Sequence, residues 1–509
     1  MYRVLSQFKL SGERHANPAE SLAMSAATGK TVSKPAVTWT VIATGLGFAV
    51  VQLDVTIVNV ALTKLGIALD SPLAGLQWVV DAYTLAFAVL LLSAGTLADR
   101  FGARRAYLIG FGIFGLASAV CGEAGSVTQL IVARTVQGAG AALLVPPSLA
   151  LLNHACADDR QLRARAIALW TAAGSGSIAV GPVVGGVLLE SFGWRSIFFA
   201  NLPLCALGFG LTWRLPETLR TRRPLDLAGQ VLAILALTSL CGATIEGGAL
   251  GWNHLHVLGG FALAVACAVA FVVIEGRIAH PMLPLRFFRL PNFSQAVLLG
   301  VAVNLTYYGL VFVLSLYLQH VKHYSAVQAG LAFVPLTATS VIANLVSGWL
   351  NSRFGARLPM LLGSAIGAVG YFMLSRLDAT SSFMSMLAPF LLIPGGAALV
   401  VPAMTATILA SVEPTWSGTA SAVLNAARQA AGAIGVAVFG ALVAGGDDHI
   451  VPGLRVAAGA SVVALGCAWL MVWLGIRRED HGGPSEARRM TAAVRGGLRA
   501  RPFGIKRAG

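Results

Sequence analysis

Residues 95–110 read GTLADRFGARRAYLIG, and residues 348–363 read GWLNSRFGARLPMLLG. Nine of the sixteen positions are identical at an offset of 253 residues. Two further pairs keep nearly the same spacing: GAALLVP at 140–146 matches GAALVVP at 396–402, and the glycine-spaced run 163–189 aligns loosely with 417–443. Self-similarity at a fixed period marks a duplicated structural unit. Each copy of the basic motif lies between one apolar run and the next, so the copies are parallel and the repeating unit holds six apolar segments.

Composition says where such segments reside. Of 509 residues, 56% are hydrophobic and 11% charged, with a mean hydropathy of +0.76. Soluble domains carry roughly a quarter charged residues, so cytosolic enzymes, disordered chains and secreted disulfide scaffolds are excluded. Apolar runs fall at 38–62, 76–97, 106–122, 128–152, 166–189, 197–213, 227–245, 255–274, 294–318, 328–350, 359–376, 384–409, 417–443 and 456–476. Each is close to the roughly 20 residues that cross a bilayer as a helix. The expected fold is an all-α integral membrane protein of 14 transmembrane helices, ordered 6+2+6 as two pseudo-symmetric six-helix bundles. Its parts are an N-terminal tail (1–37), a first bundle (38–213), a linker region with two additional spans (214–293), a second bundle (294–476) and a basic tail (477–509).

Charge supplies the orientation. Of 36 Lys and Arg, 29 fall in alternate segments that include both tails. The opposite side holds five: Lys64, Arg195, Lys322, Arg376 and Arg455. Basic loops stay cytoplasmic, so both termini are expected in the cytoplasm of a cell-membrane protein. The formal charge of +15 then reflects topology and anionic lipid headgroups, not nucleic acid. The first apolar run is too long for a cleaved signal and no small-residue cleavage site follows it; Met24 offers a second start. The six cysteines are scattered singly, without the spacing of a metal site or disulfide framework.

Several motifs lie within this frame. Loop 95–105 (Gly95, Asp99, Arg100, Gly102, Arg104, Arg105) resembles the signature GxLaDrxGrkxxl of the major facilitator superfamily. LDVTIVNVAL (53–62), Arg134-x-x-Gln137-Gly138-x-Gly140, Gly181-Pro182-x-x-Gly185-Gly186 and WRSIFFANLP (194–203) resemble its 14-spanner drug:proton antiporter branch, the EmrB/QacA-type multidrug exporters. The resemblance covers residues 38 to 476. It implies a major facilitator fold and alternating access, with export of lipophilic, often cationic, small molecules driven by the proton gradient and no cofactor. It also implies that loop 95–105 gates the conformational change and that the span-5 glycine-proline pattern seals one side against leak. A dedicated exporter of one metabolite or antibiotic stays open beside a multidrug pump, and a proton-coupled importer is a weaker rival. The expected unit is a monomer in the bilayer, with a membrane-fusion adaptor to consider where the cell has an outer membrane.

The residues carry their own chemistry. Ionisable groups deep in spans are Asp54, Asp81, Arg134 and Arg428, and such groups are costly unless paired or facing water. At roughly 1.5 Å per helical residue, Asp54, Asp81 and Arg134 are expected in one layer of the first bundle, suited to exchanging a proton for a cation. Ser177, Gly181 and Gly185 recur every four residues, making a smooth face for close helix contact. Cavity walls are expected from Tyr83, Asn304, Tyr307, Tyr308, Arg428 and Gln429, with Trp78 and Phe312 weighed beside them. Gly110-x-Gly112-x-x-Gly115 mimics a dinucleotide fingerprint, but no strand precedes it. No metal site and no enzymatic centre are expected.

Overall fold

The computed structural model describes residues 34–157, 159–218, 220, 225–278, 281–413 and 416–475. Met24, the first 33 residues of the N-terminal tail and the basic tail 477–509 lie outside this set. The described chain is helical: α1 (Lys34–Ala68), α2 (Leu73–Phe101), α3 (Ala103–Glu123), α4 (Val127–Ala142), α5 (Val145–Ala155), α6 (Arg160–Phe192), α7 (Ser196–Phe199), α8 (Asn201–Trp213), α9 (Leu227–Leu250), α10 (Leu255–Glu275), α11 (Pro291–Leu316), α12 (Ala326–Ala332), α13 (Val334–Phe354), α14 (Arg357–Leu374), α15 (Phe383–Ala410), α16 (Ser417–Leu442) and α17 (Asp447–Gly475). Helices satisfy their own backbone groups, which hydrocarbon requires. Large apolar side chains such as Ile67, Leu116 and Leu474 face outward, as lipid-facing residues do.

Among the described residues thirteen helical segments are long and apolar enough to cross a membrane. The expected span 328–350 corresponds to α12 and α13, which are broken at Phe333. The expected span 128–152 is likewise two helices, α4 and α5, interrupted at Leu143 and Leu144 just before Pro146 and Pro147.

The repeat is visible in local geometry. Gly102 and Gly355 occupy the same motif position and both take positive φ, +98° and +77°, which lets the chain turn from one span into the next without a Cβ clash. Gly140 of α4 lies against the backbone of Phe114 in α3, and its counterpart Gly396 of α15 lies against the backbone of Gly363 and Gly367 in α14. The same glycine therefore sets the same helix contact in each copy. Between the copies, α9 and α10 pair with each other, and α9 packs on α2 and α16.

The two repeat copies meet through α2 with α16 and through α6 with α12 and α13. At one end they touch closely. Ser315 Oγ donates to the Asn59 carbonyl at 2.5 Å, Gln319 Nε2 to the Val60 carbonyl at 3.1 Å, and Gln77 Nε2 to the Ala437 carbonyl at 3.2 Å. At the other end, which carries loop 95–105, they part around a cavity of about 2420 Å³.

Candidate functional site: a buried ion pair beside a one-sided cavity

Three of the predicted polar residues converge inside the first bundle. Arg134 Nη1 of α4 lies 2.5 Å from Asp54 Oδ2 of α1 and 2.8 Å from Gln137 Oε1. Gln137 Nε2 and Asn201 Nδ2 each donate to Asp54 Oδ1 at 2.9 Å, and Ser118 Oγ accepts from both amides at 3.2 and 3.0 Å. Arg134 Nε donates to the Val79 carbonyl at 3.2 Å, and its guanidinium lies 4.2 Å from the centre of the Tyr83 ring. Every member of this cluster is buried. A buried charge survives only when paired and hydrogen-bonded, and here the carboxylate has three donors. Gly138 lets α4 approach α2, since a Cβ there would meet the Tyr83 carbonyl.

Asp81 does not join them. It is 0% exposed, and neither carboxylate oxygen has a hydrogen-bond partner. Trp78 and Leu85, three and four residues away on the same face of α2, pack with Cys241 of α9, so Asp81 belongs to the contact of α2 with the additional helices. Tyr83 also departs from expectation. Instead of lining a cavity it is buried under Arg134, with its hydroxyl donating to the Val51 carbonyl at 3.4 Å. Phe312 is packed in the core at 0% exposure.

The cavity is lined by Asn304, Tyr307 and Tyr308 of α11 and Arg428 and Gln429 of α16, together with Gln52, Thr56 and Asn59 of α1. The Tyr307 and Tyr308 rings meet edge to face at 5.7 Å, and Asn304 Nδ2 donates to the Gly300 carbonyl at 2.9 Å. Gly95 and Asp99 line the open end.

The basic loop is held from a place the sequence reading did not single out. After α8 the chain brings Glu217 under the turn, where Glu217 Oε1 accepts from the Arg104 backbone N–H at 2.9 Å and Thr218 Oγ1 accepts from that of Ala103 at 2.9 Å. Arg104 and Arg105 flank the same carboxylate at 3.9 and 3.8 Å. These backbone groups are the otherwise unmatched donors at the start of α3, so Glu217 acts as a cap borrowed from another span. Gly95 and its counterpart Gly348 make no close contact between helices: a Cβ on Gly95 would stand 3.9 Å from Pro146, and nothing approaches Gly348. Gly102 serves the turn instead. Arg100 stacks near Phe101, 5.6 Å from its ring centre.

The span-5 pattern works on two faces. A Cβ on Gly181 or Gly185 would strike Thr56 or Ile57 of α1, whereas one on Gly186 would lie 2.7 Å from the Ala326 carbonyl of α12. Gly330 of α12 packs in turn on the Pro182 carbonyl, and Glu190 Oε1 accepts from the Val327 N–H at 3.0 Å. One glycine pair thus seats α6 in its own bundle, and Pro182 with Gly186 closes it on the other. Gly110 and Gly115 make helix contacts, to Leu143 and Cys205, which accounts for the false dinucleotide fingerprint.

Residues 44–436, which hold both repeat copies and the cavity between them, match the family model of the Major Facilitator Superfamily. The chain belongs to the Major Facilitator Superfamily. It is 38% identical over 433 residues to the methylenomycin A resistance protein of Streptomyces coelicolor, covering 84% of this chain and 88% of that one. It is 39% identical over 408 residues to the multidrug resistance protein Stp of Mycobacterium tuberculosis, covering 80% and 75%. Among solved structures, the transporter PepTSo superimposes with a TM-score of 0.63 at 15% identity, over 85% of this chain and 97% of that one, which speaks to the fold alone. The chain is a multi-pass membrane transporter whose relatives are antibiotic-resistance and multidrug efflux proteins.

Proposed function

We propose that this major facilitator protein is a proton-coupled antiporter of fourteen spans that exports lipophilic drugs or antibiotics across the cell membrane by alternating access. The observation that carries the reading is the cavity, open only at the end with the basic loops and closed at the other by α6 against α12. The surplus of Lys and Arg places that open end, and both termini, in the cytoplasm, so cargo enters from inside. α13 supplies the remaining span. Its Ser340 and Asn344 line the cavity, as polar residues of α1, α11 and α16 do. The boundaries 38–213 and 294–476 then delimit the two moving bodies, with 214–293 as the linker.

Proton coupling falls to the two acids. Asp54 pairs with Arg134 and accepts from Gln137 and Asn201. A carboxylate without donors is costly to ionise in such a place, so Asp81 carries a proton in this state. Rocking the halves changes the contact of α2 with α9 and α16 and releases that proton to water. Glu217 and loop 95–105 hold the cytoplasmic end of the first bundle together through the movement. The transporter needs no cofactor, works as a monomer, and engages an adaptor only where an outer membrane is present.

A second reading, a dedicated exporter of one antibiotic, is favoured by the names of several relatives: beside the methylenomycin A protein stand a tetracenomycin C resistance and export protein from Streptomyces glaucescens and a cephamycin export protein from Amycolatopsis lactamdurans. Everted membrane vesicles carrying the full chain test both readings. Export predicts accumulation of panel antibiotics or dyes that collapses with a protonophore. One accumulated compound favours the dedicated reading and several the multidrug one, whereas no accumulation contradicts both.

A further inference from the structure

The deep wall of the cavity carries one charge. Arg428 lies in α16, about 16 Å along the axis from the first residue of that helix, and lines the cavity beside Asn304, Tyr308, Asn425 and Gln429, all neutral. Its Nε is buried without a hydrogen-bond partner. Among the described residues Arg428 makes no ion pair, unlike Arg104 and Arg105 with Glu217 or Arg134 with Asp54. Asp99, Asp226, Glu275, Arg286 and Arg289 also reach the cavity, but from helix ends and connecting turns at the open mouth. Asp54 is engaged by Arg134, and neither it nor Asp81 contributes to the wall.

A guanidinium keeps its charge under all physiological conditions and presents a fork of N–H donors that fits planar oxyanions. While the cavity is open, water hydrates it. Alternating access requires the cavity to close around its cargo, which expels that water and leaves a lone cation in the membrane interior, an expensive state. Cargo bearing the opposite charge removes the penalty. The remaining wall suits an apolar body: Phe48 stacks on Trp170 with ring centres 3.9 Å apart, and Val303 and Phe333 also reach the cavity.

We infer that the cargo is an organic anion, an oxyanion group on an apolar or aromatic body, and that Arg428 pairs with that group during transport. This rests on the export reading and narrows it, because a cationic group meets no deep carboxylate on this wall.

Three fluorescent probes that share one ring system but differ in charge test it: dansyl sulfonate (anionic), dansylamide (neutral) and dansylcadaverine (cationic). Each is titrated into purified full-length protein, wild type, Arg428→Gln and Arg428→Lys, with thermal unfolding recorded to confirm folding. The wild type is expected to bind the sulfonate at least roughly tenfold more tightly than the other two, the scale of one charge-assisted hydrogen bond. Arg428→Gln is expected to bring the three probes to near parity, and Arg428→Lys to keep part of the preference. Absence of saturable sulfonate binding, equal or tighter binding of the cation, or an anion preference that survives in Arg428→Gln overturns the inference. If vesicles carrying the wild type still accumulate panel drugs, the export reading stands without it; if they accumulate nothing, both fall. Should Arg428→Gln fail to fold, the Lys variant decides, since an unchanged anion preference there removes any role for the forked donor.

Discussion

Asp54 and Arg134 form a closed pair, Arg134 Nη1 standing 2.5 Å from Asp54 Oδ2 with both side chains 1% exposed. The pair spans α1 and α4, and Asn201 ties it to α8, so three spans of the first bundle share one charge centre. Removing one partner from such a site strands the other in a low-dielectric interior. Arg134→Gln is expected to destabilise the protein by about 3–5 kcal/mol, read as a lowered melting temperature in detergent. The Asp54→Asn/Arg134→Gln double variant is expected to recover part of the loss, because no lone charge remains; additive losses would argue against a coupled pair.

Asp81 makes the opposite case. Neither of its oxygens accepts a hydrogen bond, so Asp81→Asn removes no visible contact and keeps the shape of the side chain. Its stability is expected to change by less than about 1 kcal/mol, while protonophore-sensitive accumulation in vesicles is lost. A stable variant that still accumulates drug at the wild-type rate would remove Asp81 from the coupling mechanism.

Glu217 anchors the turn between α2 and α3. Glu217→Gln keeps the acceptor for the Arg104 N–H but loses the charge facing Arg104 and Arg105, and pairs at this partial exposure contribute only about 0–1 kcal/mol. The expectation is a near-normal melt with slowed turnover and little change in KM. Gly102→Val is expected to be worse on both counts, since it places a β-branched residue at φ +98° and drives it into Glu217. Equal behaviour of the two variants would break the link between turn geometry and gating.

The closed end depends on α6 meeting α12 without side chains between them. A leucine at Gly186 would press on the Ala326 carbonyl and the Val327 backbone, so Gly186→Leu is expected to hold that end ajar. A cysteine introduced at Ser315, which is buried at this seam, would then react faster with an impermeant thiol reagent added from outside. Unchanged labelling would mean that the seal lies elsewhere.

What the sequence disclosed depended on whether the information was local. The repeat of 95–110 in 348–363 was legible because turn glycines and loop arginines are tied to short-range geometry, and Gly102 with Gly355 bear this out through their shared positive φ. The encounter of Asp54 with Arg134 was legible because charge in apolar spans demands a partner. Asp81 was misplaced for a rotational reason. Two residues along a helix point roughly 200° apart, so when Tyr83 turns under Arg134, Asp81 must face away, toward α9. Depth along a span is readable from counting, but azimuth is not. Glu217 escaped notice because it is 113 residues from Arg104 and lies outside every apolar run. Asn201 and Ser118 escaped because a neutral polar residue in a span gives no signal until a charge is found beside it.

The most direct test of proton-coupled export is proton movement itself. Liposomes reconstituted with the full chain and a trapped pH-sensitive dye are given an exported compound identified in the vesicle panel. The account predicts that the compound moves protons in the opposite direction, and that Asp81→Asn protein still binds the compound but moves none. Proton movement at the wild-type rate by Asp81→Asn protein would contradict it.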